Sequence, residues 1–300
     1  MSPPRPRRLL REDLKRVLVI ASNYKPAAQD VARAVVAWLE QAGIEVLSDF
    51  DGTLDLSQVV QGVDLAISVG GDGTMLSVAR RMGPAQVPTM GLNLGKLGFL
   101  AEFTEREVRE WIAGRKDFRL QIKHRMRLRC SVERGGKGKD VTTYALNDAV
   151  VSQGVVTRLI SLSMRVQKAH AIQYRADGVI ISTPVGSTAY SLSLGGPILS
   201  PGLKAFIVTP VAPHALTNRP IVISGGQRLQ FRIDSPAEEI ALVLDGHEHV
   251  PLHEGATFSI RRAQRDFLVV SPAERSYYDT LRHKLGWGEN PRLNTQEGGQ

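Results

Sequence analysis

Asp64-Leu65-Ala66-Ile67-Ser68-Val69-Gly70-Gly71-Asp72-Gly73-Thr74 is the stretch that decides the fold. Its apolar run, Leu65 to Val69, has the length and composition of a buried parallel strand. The chain then turns through five small or polar residues and continues from Met75 to Met82 in a pattern that predicts a helix. A strand that ends in glycines and opens a helix leaves backbone N–H groups unshielded at a positive helix end, a ready site for a phosphate. Gly70, Gly71, Gly73 and Thr74 are the candidate phosphate-binding residues, the glycines because a side chain would block close approach or forbid the turn's backbone angles. Asp72 is electrostatically out of place in such a cradle. Its presence points to a chemical role, either binding Mg²⁺ or taking a proton from a hydroxyl that attacks phosphorus. The string is neither a P-loop nor a dinucleotide Gly-x-Gly-x-x-Gly. Alone, it also fits a tight turn carrying a polar Asp.

Outward from this stretch, the first third alternates short strands and helices. Val17–Ala21, Ile44–Leu47 and Pro88–Leu92 read as strands, and Ala27–Ala42 as a helix with apolar residues at helical spacing that stops before Gly43. This is the pattern of a Rossmann-like α/β domain, whose ligands bind beyond the carboxyl ends of the strands. Asn93 to Phe99 leaves the next strand end and would flank the same crevice. Thr104 with Glu107 has the form of a helix-capping box. From Arg119 the pattern changes to alternating runs such as Arg127–Val132 and Arg228–Ile233, the signature of half-buried antiparallel strands. Glu133 to Asp140 reads as a polar, glycine-rich hairpin turn. The expected organisation is a disordered basic tail over 1–15, an α/β domain over 16–120 joined by 273–300, and a mainly β domain over 121–272. Ser276–Lys284 returns to helical composition.

Of 300 residues, 42% are hydrophobic, enough for a large core in one or two domains. The net charge of +8 suits an anionic partner. The basic residues concentrate in the first fifteen positions and in Lys123-His124-Arg125-Met126-Arg127-Leu128-Arg129, without interleaved aromatics, so nucleic-acid binding is not expected. A solvated tail and a strand with one basic face are expected instead. Cys130 is the single cysteine, which excludes an intramolecular disulfide and a cysteine-rich metal site. Val17–Ala21 is too short for a signal-peptide core and no run reaches the length of a membrane span, so a soluble cytoplasmic protein is expected, with no membrane partner.

Two further constellations carry chemistry. Asn147-Asp148 sets an amide beside a carboxylate between two strands, able to bind vicinal ribose hydroxyls or approach a metal, though Asn-Asp is also an ordinary turn pair. Tyr174 to Pro197 runs from an apolar strand into Ser182-Thr183-Pro184-Val185-Gly186-Ser187-Thr188-Ala189-Tyr190-Ser191-Leu192-Ser193, a small, hydroxyl-rich segment able to hydrogen-bond a ligand. Tyr190 stands among small residues, where its ring can pack on a flat base. The same segment also fits a capped helix start, and it holds no Gly-x-Ser-x-Gly nucleophile elbow. Asp245-Gly246-His247-Glu248-His249 superficially suggests a metal site, but the two histidines lack a further ligand cluster and read as a surface loop.

Together, the Gly-Gly-Asp-Gly-Thr turn, Leu146–Val151, Asp177–Pro201 and the spacing among them resemble the NAD kinase family in its bacterial form, over about residues 15–288. Asn93–Leu100 and Leu281–Trp287 look like family segments too. Gly-Gly-Asp-Gly-Thr alone is shared with lipid kinases and, loosely, 6-phosphofructokinases. The Ser-Thr-Pro-x-Gly-Ser-Thr-Ala-Tyr motif separates this chain from them. The resemblance implies an α/β domain, a C-terminal β-sandwich domain and a last helix that returns to the first domain. The active site would lie between the domains, in a homodimer or homotetramer. It implies Mg²⁺-dependent transfer of the ATP γ-phosphate to the 2′-hydroxyl of the adenosine ribose of NAD. Asp72 would be the general base, with Gly73 beside it. Asn147 and Asp148 would hold ribose hydroxyls, and Thr188, Ala189, Tyr190, Ser191, Leu192 and Ser193 would enclose the adenosine. Arg175 and Asp177 would lie near the nicotinamide, and Arg158, Ala212 and His247 match more variable contact positions. Arg175 is the version seen in ATP users, whereas polyphosphate users commonly carry Gly there. His247 stands where some members carry Gln. Two other readings stay open: a lipid or sugar kinase of the same superfamily, and a non-catalytic nucleotide sensor in which Asp72 binds only a metal.

Overall fold

The computed structural model describes residues 9, 11–95, 97–114, 119–133, 140–154, 159–167, 171–215, 217–234 and 239–288. The first part of the chain forms β1 (Arg16–Ala21), α1 (Pro26–Gln41), β2 (Glu45–Asp49), α2 (Leu56–Val59), β3 (Leu65–Gly70), α3 (Asp72–Arg81), β4 (Thr89–Asn93), α4 (Glu105–Ile112) and β5 (Leu120–Arg125). The central part forms β6 (Leu128–Glu133), β7 (Val141–Ala145), β8 (Asp148–Gln153), β9 (Ile160–Val166), β10 (Ile172–Ala176), β11 (Gly178–Ser182), the short α5 (Tyr190–Ser193) and β12 (Ala205–Val211). It continues through β13 (Ile221–Ser224), β14 (Leu229–Ile233), β15 (Ile240–Leu244), β16 (Glu248–Leu252) and β17 (Thr257–Arg262). The chain then closes with β18 (Phe267–Pro272) and α6 (Tyr277–Leu285).

The first sheet has the order β2-β1-β3-β4-β18-β5. Its neighbours are parallel except for β5, which runs against β18. Helices cover both faces, which is why the inner strands β1, β3, β4 and β18 are buried without alternation. In β1, Val17 and Val19 pack under α1 and α4, whereas Leu18 and Ile20 pack under α2 and α3. Pro26 supplies a preset φ at the start of α1, and Ala28, Ala32, Val35 and Leu39 form its buried stripe. Thr104 and Glu107 cap α4 reciprocally, Glu107 N donating to Thr104 Oγ1 and Thr104 N to Glu107 Oε2.

The remaining strands make two antiparallel sheets, β10-β9-β14-β17-β6-β7 and β13-β12-β11-β8-β15-β16, closed over one apolar core. Alternation is clean in β6 and β14, whose inward residues include Leu128, Cys130, Leu229 and Phe231. Phe231 stacks on Phe258 with centroids 4.8 Å apart. The fold class is therefore the expected one, an α/β domain followed by a β-sandwich. α6 does return to the first domain: Arg275 just before it donates to Glu107 at 2.6 Å, and Tyr277 meets Phe99 at 5.9 Å.

Two strands of the span 121–272 pair elsewhere than expected. β18 lies inside the first sheet, with Val269 buried on one face and Val270 on the other, and β5 forms that sheet's edge. β5 alternates and β18 is an apolar run buried on both faces, but neither pattern tells which sheet supplies the partner. The crossings between domains accordingly fall at 126–127 and 263–266. The basic run 123–129 is likewise not one strand with a basic face, because it leaves β5 and enters β6. Lys123 lies 3.7 Å from the buried Glu102, and Arg127 is 1% exposed at the crossing. The turn expected at Glu133–Asp140 joins β6 to β7, whose register pairs Val132 with Val141; residues 134–139 lie outside the described ones.

Arg127 fastens the two domains. It donates to the Ala79 and Gly83 carbonyls at the end of α3 (3.0 and 2.8 Å) and to the Arg265 carbonyl of the second crossing (3.1 and 3.2 Å). Its guanidinium also sits 5.0 Å from the centre of the Tyr144 ring. Arg127→Met would keep the volume but strip three carbonyls of their donor. Leaving buried polar groups unpaired costs about 1–3 kcal/mol each, less where water enters. A loss of about 2–4 kcal/mol by urea unfolding is expected, and a change under 0.5 kcal/mol would show that the crossing is held by apolar packing alone.

Candidate active site

At the end of β3 the backbone passes through Gly70 and Gly71 into α3, with Gly71 as the N-cap in an extended conformation. Gly71 N lies 3.4 Å from Thr74 Oγ1 and Thr74 N donates to Gly71 O at 3.0 Å, so Thr74 closes the first turn. Gly70 is required by space: a Cβ there would collide with the Thr74 side chain. A Cβ at Gly71 or Gly73 would meet nothing within 4 Å, so both face open space. None of these three glycines has positive φ. Close approach, and not an unusual backbone angle, is what glycine provides here.

Asp72 is the first residue of α3, and its carboxylate gathers the loop after β4. Oδ1 accepts from Leu100 N and Ala101 N, both at 3.0 Å, and Oδ2 accepts from Phe99 N at 2.9 Å. This resolves the charge that looked misplaced, since three donors and the positive helix end surround it. A Cβ on Gly98 would collide with the same carboxylate, so Gly98 is the steric condition for the contact.

The second domain contributes the turns at one end of its sheets. Asn147 and Asp148 open β8, and the buried Asp245 holds them. Its carboxylate accepts from Leu146 N at 2.9 Å, Asn147 N at 2.7 Å and Asp148 N at 3.2 Å. Asp245 and Gly246 have φ of +48° and +70° and form the tight turn into β16. From the other side Thr183 N donates to Asn147 O at 2.8 Å, and a Cβ at Gly186 would collide with that carbonyl. Burial, and then the neighbouring Asp245 charge, push Asp148 up to about 7. Burial raises Asp245 as well, against the three N–H donors that favour its charge.

In the hydroxyl-rich segment most side chains are used internally. Ser187 Oγ donates to Pro184 O and accepts from Leu199 N, and Ser191 Oγ pairs with Thr209 Oγ1 at 2.8 Å. Thr188 Oγ1 donates to Val185 O at 3.3 Å. Tyr190, 46% exposed, and the exposed Ser193 are the side chains this segment offers to solvent.

The two parts meet in an apolar seam, where Leu146 and Val185 join the cluster of Met75, Leu76, Leu100 and Ala101. Arg80 of α3 reaches Glu248 of β16 at 3.4 Å across it. A cleft of about 470 Å³ opens beside the seam, lined by Gly71, Gly73, Thr74, Ser77, Asp51 and His247. Asp72, Gly73, Asn147, Asp148 and His247 are thus gathered on the elements that border one seam, and Thr188–Ser193 follows directly from it. Arg175, Asp177 and Ala212 are not gathered there. Gly178 and Ser182 are the two ends of β11; Asp177 N bonds Val211 O at the first, while Ser182 pairs with Asp148 at the second. That separation is roughly 13 Å along the strand. Arg158 lies outside the described residues. Among the described residues no three His, Cys, Asp or Glu side chains are grouped to hold a metal.

Sequence reasoning missed two parts of this site. The Phe99–Ala101 amides carry no side-chain signature, although Gly98 marked a close approach. Asp245 announced a hairpin turn through its Asp-Gly pair, but nothing local tied it to Asn147.

Comparison with known proteins follows the same division. Residues 51–114 match the family model for the ATP-NAD kinase N-terminal domain, and residues 146–271 match that for the C-terminal domain. The chain is 38% identical over 287 residues to the NAD kinase of Geotalea daltonii and 39% over 285 residues to that of Trichlorobacter lovleyi, each covering 92% of this chain and 100% of the relative. A crystal structure of yeast NADH kinase complexed with NADH superposes with a TM-score of 0.84 at 26% identity, covering 98% of this chain and 94% of that one. An Archaeoglobus fulgidus NAD kinase structure in complex with ATP shares the fold at a TM-score of 0.69 and 22% identity, over 90% and 98% of the two chains.

Two outcomes follow from the geometry. Gly98→Ala should expel the Asp72 carboxylate, and amide exchange at Leu100 and Ala101 should then rise as far as it does in Asp72→Ala. Retained protection in either variant would contradict the contact. Asp148 binds its proton more tightly folded than unfolded, so its contribution is full below about pH 4 and is lost as pH rises through about 7. Asp148→Asn should therefore flatten the decline in stability between about pH 4 and 7. An unchanged slope would show that Asp148 is ionised in the fold.

Proposed function

The chain belongs to the NAD kinase family, and on that footing we propose that it transfers the γ-phosphate of ATP to the 2′-hydroxyl of the adenosine ribose of NAD, giving NADP and ADP. The observation that carries this reading is the open glycine turn, with Asp72 fixed beside it at the seam between the domains. Phosphoryl transfer asks mainly for positioning and for neutralising charge on the transferred group. The N–H of Gly73, in the first turn where no helix carbonyl reaches it, and the positive end of α3 supply both. Oδ1 of Asp72 already accepts two N–H groups and Oδ2 only one, so Oδ2 keeps the lone pair that would take the ribose proton.

The remaining roles follow from position. Asn147 and Asp148 would hold ribose hydroxyls, with Asp148 able to donate as well as accept near neutral pH. The exposed ring of Tyr190 would pack on the adenine. Mg²⁺ carried on the phosphates of ATP would offset their charge, with Asp51 as the carboxylate of the cleft that would hold it; such an ion usually takes only one or two protein carboxylates. Thr53 donates to Asp51 through N and Oγ1 and keeps that carboxyl below its usual range. A homodimer or homotetramer accounts for Arg175, Asp177 and Ala212, which one chain carries at the far end of β11 and a second copy would present to its neighbour's site. Ile172, Ile221 and Val222, exposed on the edge strands β10 and β13, offer apolar surface for such contacts. The reaction is assigned to the cytoplasm, where both nucleotides are at hand.

Purified protein supplied with ATP, NAD and Mg²⁺ should form NADP, and chelation of the metal should stop it. NAD binding without NADP from ATP or polyphosphate would identify a sensor instead. Tyr190→Ala should raise the KM for NAD at least tenfold while changing that for ATP less than twofold. Equal changes in both would remove the ring from the adenine site.

A further inference from the structure

The basic run 123–129 and the Arg261–Arg265 segment take no part in the reaction above. They meet behind the domain junction, around a cavity of about 570 Å³ lined by Arg127, Arg129, Arg265, Gln61, Gln264 and Tyr144. This cavity lies at the carboxyl end of α3, roughly 15 Å of helix away from Asp72.

Among the described residues its charge has no direct counter-ion, Asp266 acting on Arg127 only as a more distant charge. No Asp or Glu lines it, and among the described residues none of its three arginines forms a salt bridge. Asp266, on the same crossing, is already held by Lys204 at 2.8 Å and Arg262 at 3.1 Å. Arg127 spends its N–H groups on carbonyls, and burial lowers it only to about 10, so it remains charged at neutral pH. Arg129 Nε is buried with no hydrogen-bond partner. In the sheet Arg129 stands directly across from Arg261 on one side and from Tyr144 on the other, so two like charges face each other. Like charges so placed repel, and a buried donor without an acceptor is unfavourable. An anion relieves both.

We propose that this cavity binds a phosphate-bearing polyanion, its oxygens taken by the guanidinium groups of Arg129 and Arg265 with Gln61 and Gln264 at the rim. Planar guanidinium forks pair with phosphate oxygens two at a time, and Arg127 adds a third positive charge from the cavity wall. Three positive charges, none in a direct ion pair among the described residues, suit a diphosphate or triphosphate better than a single monovalent ion. The chain of phosphates could be inorganic or belong to a nucleotide.

Calorimetric titration of the full chain separates these cases, with pyrophosphate, tripolyphosphate and ATP tested in turn against wild type and Arg129→Gln/Arg265→Gln. Both proteins share the catalytic cleft, so the difference between them isolates this cavity. Wild type should show one more binding event per chain, at least tenfold weaker in the double variant and weakening as salt rises. Tighter binding of tripolyphosphate than of ATP would identify an inorganic chain as the ligand, and the reverse a nucleotide. Arg265→Glu, at an exposed position, leaves the packing of β6 untouched and should abolish the same event. Equal binding by wild type and these variants, or no event beyond the cleft in wild type, would overturn the proposal.

Discussion

One carboxylate sets the loop on which the junction is built. Asp72 begins α3 and gathers the amides of Phe99, Leu100 and Ala101, tying the glycine turn after β3 to the loop after β4. Leu100 and Ala101 then form the seam against Leu146 and Val185 of the second domain. Phe99 meets Tyr277 and lies 5.4 Å from Lys284, so the last helix closes on the same loop. The loop thus has contacts to the phosphate turn, the β-sandwich and α6 at once. Its position is set by a charge that three N–H donors and a helix end satisfy together.

The same device recurs across the junction. Asp245 gathers the amides of Leu146, Asn147 and Asp148, and Arg127 gathers the carbonyls of Ala79, Gly83 and Arg265. Each charged side chain organises backbone at the end of a helix or strand and in the loop beside it. A buried polar network of this sort is stabilising only when all its members are paired. The geometry at the seam is accordingly intolerant of single losses, while the sheets on either side rest on ordinary apolar burial.

Much of this was legible in the sequence. Local periodicity located β1, α1, β3 and α3, because strands buried on both faces and helices with one buried stripe leave different patterns. The capping box at Thr104 was also local and appeared as expected. What escaped was set by distant partners. β18 carries a short apolar run that names no partner until it is seen between β4 and β5. Asp245 and Asn147 are 98 positions apart, and Asp72 acts on backbone amides that no side chain advertises. The basic run at 123–129 could not show that a domain crossing cuts through it.

The most direct test of the account is single-turnover phosphoryl transfer by Asp72→Asn, with the affinity for NAD measured on the same preparation. Asparagine keeps an oxygen for the loop amides but accepts no proton. The account predicts a rate lower by about 10² to 10⁴, the usual range for losing a general base, with NAD affinity within a few-fold of wild type. A variant that keeps more than about a tenth of the rate would contradict it, and would reduce Asp72 to the organiser of the loop it holds.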